Sequence, residues 1–425
     1  MLELHELSRI GFGCYRIARH SREHYTALSY ALRNGCNLID TAVTYTDGES
    51  ERLIGEVLAD QPDHHPFIIT KAGYVQGESR ALLDELNRVG RATEDLVRLP
   101  GDSLHSIHPD FLDSQLTLSC DRLKRPRLDG FLLHNPEYYF DQVDQSASPD
   151  EYYRRIKKAF EFLEEQVALG RVRYYGVSSN SLPFPTGREK ATSLPRLLAL
   201  ADEVSTSHHF KLIQFPFNLI ENDAQKPDHE GGRSLIDIAR AGGIVTLINR
   251  PLNANSANGP VRLAAYDEEV RGLDEAHDGQ VLEECLGLVR QRLDEVGIVD
   301  DVTEFVPLQV ISASWSSFTS TDMANQVFDR HVWPFLDQLY EGSIDEATVN
   351  AFAKLKQLVI LYARRAMTRQ ARAFRQRLIE QGLIAPHDTR PLPLIACQSY
   401  LDAGIDHVLV GMRTPQYVDG LRSIF

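Results

Sequence analysis

The stretch Asn37–Leu58, NLIDTAVTYTDGESERLIGEVL, constrains the fold most, because it holds a strand, a polar loop and a helix start in one span. Asn37 to Ile39 read as a short buried strand that ends on a carboxylate, Asp40. Tyr45 follows in a Thr/Asp/Gly-rich loop, and a helix is expected from near Glu49. A strand that ends in an acid and hands over to a polar loop before a helix is a βα unit. In α/β proteins built from such units the chemistry collects at the carboxyl ends of the strands.

The unit recurs. Leu7–Gly13 reads as a first strand, and Glu23–Asn34 as its helix, with Tyr25, Leu28, Tyr30 and Leu32 at helical spacing. Pro66–Thr70 is a third strand, ending at Lys71, and a polar region follows. Further strands are expected at Gly130–Leu133, ending at His134, and at Arg173–Val177, ending at Ser178-Ser179-Asn180. Lys211–Phe215 carries Gln214, and Gly243–Ile248 ends at Asn249-Arg250-Pro251. His407–Val410 ends at Gly411-Met412-Arg413. Helices are expected at Asp110–Leu123, Glu151–Leu169, Leu194–Glu203 and Ser234–Ala241. Short apolar strands that alternate with helices, with reactive residue types just past each carboxyl end, predict an α/β fold of the (β/α)8 TIM-barrel class.

One region breaks the spacing. Residues 252–394 exceed what one helix needs and read as a helical insertion between barrel segments 1–251 and 395–425, with helices at Asp267–Val296 and Asp345–Gln381. The second opens with Ser343-Ile-Asp-Glu346, a capping-box pattern. It ends in Arg364, Arg365, Arg369, Arg372, Arg375 and Arg377, which are expected to form a solvated face.

Composition narrows the partners. A net charge of -15 argues against nucleic acid or an anionic membrane as partner, since both select basic surfaces. A small molecule fits better. Cys14, Cys36, Cys120, Cys285 and Cys397 are scattered, without a CxxC pair, and are expected as reduced thiols in a cytoplasmic protein. The opening MLELHELSRI is too polar for a signal peptide, and no apolar run approaches the roughly 18 to 20 residues of a membrane span.

Asp40, Tyr45, Lys71 and His134 lie at or past the ends of three successive strands, so a closed barrel would bring them into one pocket. A tyrosine is a poor acid at neutral pH unless a cation stabilises its phenolate, which Lys71 can supply. Asp40 would hold the ammonium, and His134 could donate to a substrate carbonyl oxygen. The set reads as a proton donor for carbonyl reduction. Singly, each has a plainer reading: Asp40 a helix cap, Tyr45 a loop surface residue, Lys71 a solvated charge, His134 a core histidine. His105-Ser-Ile-His108, His64-His65 and His208-His209 lack a carboxylate or cysteine at ligand spacing, so no metal is expected. Gly11-Phe-Gly13 is too short to count as a nucleotide motif.

Together GCNLIDTAVTYTDGESERLIGEVL, ITK at Ile69–Lys71, FLLHNPE at Phe131–Glu137 and YYGVSSN at Tyr174–Asn180 resemble the aldo-keto reductase superfamily. The resemblance covers roughly Arg9–Pro251 and Ile395–Val418, and its D-T-A-x-x-Y-x-x-G-x-S-E core is highly specific. It implies a (β/α)8 barrel that uses NADP(H), less often NAD(H), with its Asp, Tyr, Lys and His tetrad on Asp40, Tyr45, Lys71 and His134. It also implies that Ser178, Ser179 or Asn180, and Gln214 hydrogen-bond the nicotinamide carboxamide, and that Gly13 and Cys14 border its ribose. Arg250 and Arg413 become anion partners for the pyrophosphate. The chain departs from the family pattern at Asn249, where a stacking tyrosine is usual, and at Ser178-Ser179, where Ser-Asn is usual. Within GMRTPQYVDGL, which starts at Gly411 and Met412, it has Tyr417 and Leu421 where an Arg or Gln and an Asn are common. The chain runs only to Phe425 past its last strand, so the insertion is expected to serve as lid over the substrate.

The expected function is an NAD(P)H-dependent oxidoreductase that interconverts a carbonyl and an alcohol by hydride transfer. Aldehyde reduction and sugar oxidation both stay open. So do a catalytically idle nicotinamide-binding regulatory barrel and an aldolase using Lys71 as a Schiff-base nucleophile.

Overall fold

The computed structural model describes residues 2–89, 91, 95–143, 147–256, 259–267, 270, 277–296, 306–318 and 320–425. The chain divides into two compact units, Met1–Gly259 with Pro393–Phe425, and Pro260–Leu392.

The first unit is a closed parallel barrel. Its strands are β1 (Ile10–Gly13), β2 (Leu38–Asp40), β3 (Phe67–Ala72), β4 (Leu128–His134), β5 (Val172–Ser178), β6 (Phe210–Pro216), β7 (Val245–Asn249) and β8 (His407–Val410). They close in the order β1-β8-β7-β6-β5-β4-β3-β2. The expected (β/α)8 class is therefore the observed one, with strand boundaries displaced by one to three residues.

The register explains where the polar residues go. Leu38, Ile69, Leu132, Leu212 and Leu247 fill one buried layer inside the barrel. Two residues further along each strand stand Asp40, Lys71, His134, Gln214 and Asn249. Because side chains alternate along a strand, each polar group shares a face with the apolar one below it and sits one layer nearer the carboxyl end. Pairing keeps that layer level: Gly13 lies opposite Asp40, His134 opposite Ser178 and Ser178 opposite Gln214. A register shift between Tyr175 and Gly176 lets β5 follow β6. At Gly176 a Cβ would stand 1.9 Å from the Leu212 carbonyl oxygen, so only glycine permits this approach.

The helices between strands are α1 (Arg22–Arg33), α2 (Glu49–Asp60), α3 (Glu78–Arg88), α4 (Pro109–Leu123), α5 (Pro149–Ala168), α6 (Leu194–Val204) and α7 (Leu235–Ala241). Serines start several of them: Ser148, Ser193 and Ser234 each accept from a backbone N–H three residues on. The polar region after Lys71 is more ordered than its composition suggests. It contains α3 and a three-stranded antiparallel sheet of Tyr74–Val75, Ser103–His105 and Val97–Leu99. Strands this short show no periodicity to read.

The second unit has its own helices: α8 (Asp278–Val296), α9 (Val306–Ser314), α10 (Thr321–Val327), α11 (Trp333–Leu339) and the long α12 (Glu346–Glu380). Leu282, Leu286, Val289, Leu308, Phe328, Leu336, Phe352 and Val359 form its core. The expected helix at Asp267–Val296 starts only at Asp278, and residues 268–269 and 271–276 of that expectation lie outside the described residues. The expected capping box at Ser343 is replaced by Asp345, whose carboxylate accepts from the Thr348 N–H at 3.0 Å and the Thr348 hydroxyl at 2.6 Å. Nor are the arginines of α12 simply solvated. Arg365 is buried against Asp278, Arg372 pairs with Asp267, and Arg375 donates to the carbonyls of Asp388 and Arg390. Arg369, Arg372 and Arg377 stay exposed, as expected of a solvated face, while Arg365 leaves that face for the Asp278 carboxylate.

After the barrel helices come α13 (Leu392–Asp402) and α14 (Pro415–Asp419). The five cysteines form no disulfide. Among the described residues no helix is long and apolar enough to cross a membrane.

Candidate active site

Lys71 is the centre of the site. Its Nζ stands 2.8 Å from Asp40 Oδ1, and donates to the Thr41 carbonyl at 2.7 Å and to the Tyr45 hydroxyl at 3.1 Å. An ammonium has three protons, and these contacts engage all of them. Lys71 is 1% exposed, Asp40 4% and His134 9%, so neither the solvated lysine nor the helix-capping aspartate describes this site. A lysine so committed, with a carboxylate on one proton, is poorly placed as a Schiff-base nucleophile. The His134 ring meets Tyr45 edge to face, with centroids 6.1 Å apart.

Tyr45 opens a single 3-10 turn, Tyr45–Gly48, in which Thr46 and Asp47 both take positive φ. Neither is glycine, so this conformation is strained and must be held by its surroundings. Burial pushes the Tyr45 phenol well above its ordinary value, and the Asp40 charge adds to that. Tyr45 therefore rests protonated. Burial pulls the Lys71 ammonium down, opposed by Asp40. His134 is held well below its usual range by burial first and by the charge of Lys71 second, so its ring is neutral. A protonated phenol beside a neutral imidazole presents two hydrogen-bond donors to one oxygen atom.

A second polar network joins the first. Gln214 Nε2 donates to the same Asp40 Oδ1 at 2.7 Å, while Gln214 Oε1 accepts from Ser178 Oγ and Asn249 Nδ2, each at 3.3 Å. Asn249 Oδ1 is buried without a partner, which suits an amide donor brought by a ligand. Gly13 pairs with Asp40 across the strands, and Cys14 is buried, its N–H donating to the Asp40 carbonyl at 2.8 Å.

The remaining expected residues are placed differently. The Ser179 hydroxyl turns to Ser181 and Thr192, 3.1 and 3.2 Å away, and Asn180 gives its backbone N–H to Glu137. Arg250 is ion-paired with Glu221 at 2.6 Å. Gly411, Met412 and Arg413 follow β8 directly, Met412 is buried, and the charge of Arg413 adds to the burial that lowers the His24 pKa. Tyr417 lies on α14, capped by Thr414.

Sequence reasoning missed the wall beside His134. The Tyr74 ring stands edge-on to His134 at 4.8 Å, and Asn135 Nδ2 donates to the Tyr74 hydroxyl at 2.6 Å. His105 Nε2 lies 2.7 Å from the His134 carbonyl, and burial holds its pKa down to about 4. The spacing of His105 and His108 points in sequence only to metal ligation, yet His105 braces the backbone of His134. Its partner in that pattern, His108, instead caps α4. Among the described residues no group of three or more His, Cys, Asp or Glu could hold a metal ion. A cleft lined by Phe67, Arg125, Asp129 and Gly170 lies at the amino-terminal ends of the strands, away from these groups.

Part of the chain is similar to known proteins. Residues 9–184 match the Aldo/keto reductase family model. An uncharacterized oxidoreductase of Bacillus subtilis (strain 168), YqkF, is 25% identical over 174 residues, which cover 41% of this chain and 45% of that protein. The chain thus spans less than half the length of that relative. A glycerol dehydrogenase of Gluconobacter oxydans, AKR11B4, is 18% identical with a TM-score of 0.49, covering 99% of this chain and 86% of the other. An aldo/keto reductase of Klebsiella pneumoniae, solved with NADP and acetate, is 17% identical with a TM-score of 0.37, covering 58% and 65%. Residues 9–184 are thus similar to the aldo-keto reductases.

Proposed function

We propose that this protein is an oxidoreductase that uses a nicotinamide dinucleotide, NADP(H) in preference to NAD(H), to interconvert a small carbonyl compound or sugar and its alcohol. The observation that carries the reading is the single buried ammonium of Lys71 in contact with both Asp40 and Tyr45. Tyr45 holds the proton that a carbonyl oxygen takes as it becomes a hydroxyl, and it accepts that proton in the reverse direction. Lys71 stabilises the phenolate left behind, Asp40 keeps Lys71 charged and aimed, and neutral His134 donates to the same substrate oxygen.

Ser178, Gln214 and Asn249 would hold the nicotinamide carboxamide, with Asn249 Oδ1 as acceptor. Gly13 and Cys14 would border the ribose, with Arg413 toward the phosphates and Gly411, Met412 and Tyr417 beside it. Arg250 contributes less charge, since Glu221 offsets it. The bound dinucleotide supplies or receives the hydride. Fluorescence titration with NADPH and NADH, followed by a panel of carbonyls and sugars, tests the proposal. Tyr45→Phe is expected to keep NADPH affinity and to lose roughly 10²- to 10⁴-fold in kcat. Full activity in that variant would overturn the mechanism, and failure of the wild type to bind either dinucleotide would overturn the function.

A further inference from the structure

The motif that carries Asp40 and Tyr45 ends in a glycine and an acid, Gly48 and Glu51, to which the proposed chemistry gives no part. Glu51 is fully buried on α2. Its Oε1 accepts from the Thr70 hydroxyl and from the Ser119 hydroxyl, both at 2.7 Å, and its Oε2 from Arg122 Nη1 at 3.0 Å. Thr70 is the residue before Lys71 on β3. Arg122 reaches in from α4, also buried, and the same Nη1 donates to the Val43 carbonyl at 2.9 Å while Nη2 donates to Glu78 at 2.8 Å. Val43 lies two residues before Tyr45, and its own N–H donates to the Lys71 carbonyl at 3.1 Å.

Gly48 completes the arrangement. Its φ is +87°, and a Cβ there would stand 2.3 Å from Arg122 Cζ, so the missing side chain is the seat of the guanidinium. One carboxylate thus fastens the strand that carries Lys71, and one guanidinium fastens the loop that carries Tyr45. The pair joins the two. The turn they hold is the one with Thr46 and Asp47 at positive φ, a conformation that persists only where its surroundings over-determine it.

We infer that Arg122 and Glu51 are positioning residues that set the distance between the Tyr45 hydroxyl and Lys71, from the face of the loop opposite the substrate. The inference rests on the proposed reaction for its kinetic consequence, but not for its structural one. A displacement of about 1 Å at a proton donor is worth on the order of 10²-fold in rate. Charge alone does not serve, because a lysine at 122 cannot meet Glu51, Glu78 and the Val43 carbonyl in the same fixed fork.

Arg122→Lys and Glu51→Gln test it, each measured for far-UV circular dichroism, NADPH affinity, kcat, KM and amide hydrogen exchange. The expected result is a folded protein with NADPH affinity and carbonyl KM within about threefold of wild type and kcat lower by about tenfold or more. Exchange in peptides covering residues 41–48 should rise by about tenfold or more, with residues 128–134 unchanged. Unaltered exchange at 41–48 overturns the inference, and so does a loss shared evenly by every peptide and by NADPH affinity, which marks general damage. If both variants fail to fold, Ser119→Ala, which removes one hydrogen bond to Glu51, is read by the same exchange criterion. Should the wild type turn over no carbonyl or alcohol, it is the proposed function that fails, and the exchange comparison still decides the clamp.

Discussion

Removing the Lys71 ammonium would strand the Asp40 carboxylate among buried neighbours, with only Gln214, among the described residues, left to donate to it. Breaking a buried ion pair from one side costs about 3–5 kcal/mol, so Lys71→Met is expected to lose that much stability in urea unfolding as well as activity. A loss under about 1 kcal/mol would mean that Asp40 takes up a proton or water at little cost. His105 makes a separate prediction in pH. Its folded pKa of about 4 lies below the ordinary 6.5, so between those values the unfolded chain binds a proton that the folded one refuses. Stability is therefore full above about pH 6.5 and falls as pH drops toward 4, by roughly 3 kcal/mol from this residue. Glu137, raised from 4.5 to about 7 by burial, acts in the opposite sense, losing stability as pH rises between those values. Comparing wild type with His105→Gln isolates the histidine: the variant should show a flatter decline from pH 6.5 to 4, and identical slopes would refute the assignment.

Single elements are constrained by what lies against them. In β5, Gly176 faces the Leu212 carbonyl so closely that Gly176→Ala must move β5 or β6. Such overpacking typically costs about 1–3 kcal/mol, and here it also displaces Ser178, two residues on, from Gln214. Lower thermal stability together with weaker NADPH binding is the expected outcome, and unchanged NADPH affinity would count against Ser178 as a cofactor contact. Elements with strong periodicity were legible before folding: the barrel strands and the helices α1, α2, α4, α5, α6 and α7 all fall near where spacing puts them. The two- and three-residue strands around Tyr74 and His105 were not, because each is shorter than any repeat that could reveal it. The start of α12 falls within a residue of where it is expected, and only its capping residue differs. Ser343 and Asp345 both offer a capping oxygen, and only the chain's path decides that Asp345 meets the Thr348 N–H.

At the scale of the molecule, each unit carries its own apolar core. Phe352 is fully buried in the helical unit, and Phe352→Ala is expected to cost about 3–5 kcal/mol. The loss should appear as faster hydrogen exchange in α8 and α12, and a variant whose exchange there matches wild type would contradict the assigned core. The sequence alone determined the class of fold and four of the chemical groups. Apolar residues two positions before Asp40, Lys71 and His134 fix which face those groups share, and that alternation is a local property of any strand. Only the tertiary structure decided which groups meet. Gln214 reaches Asp40 across 174 residues of chain, and Arg122 reaches Val43 across 79. Ser179 turns away from the site while Ser178 turns in. These pairings depend on barrel closure and on the direction of each side chain at its strand end, which no local pattern encodes.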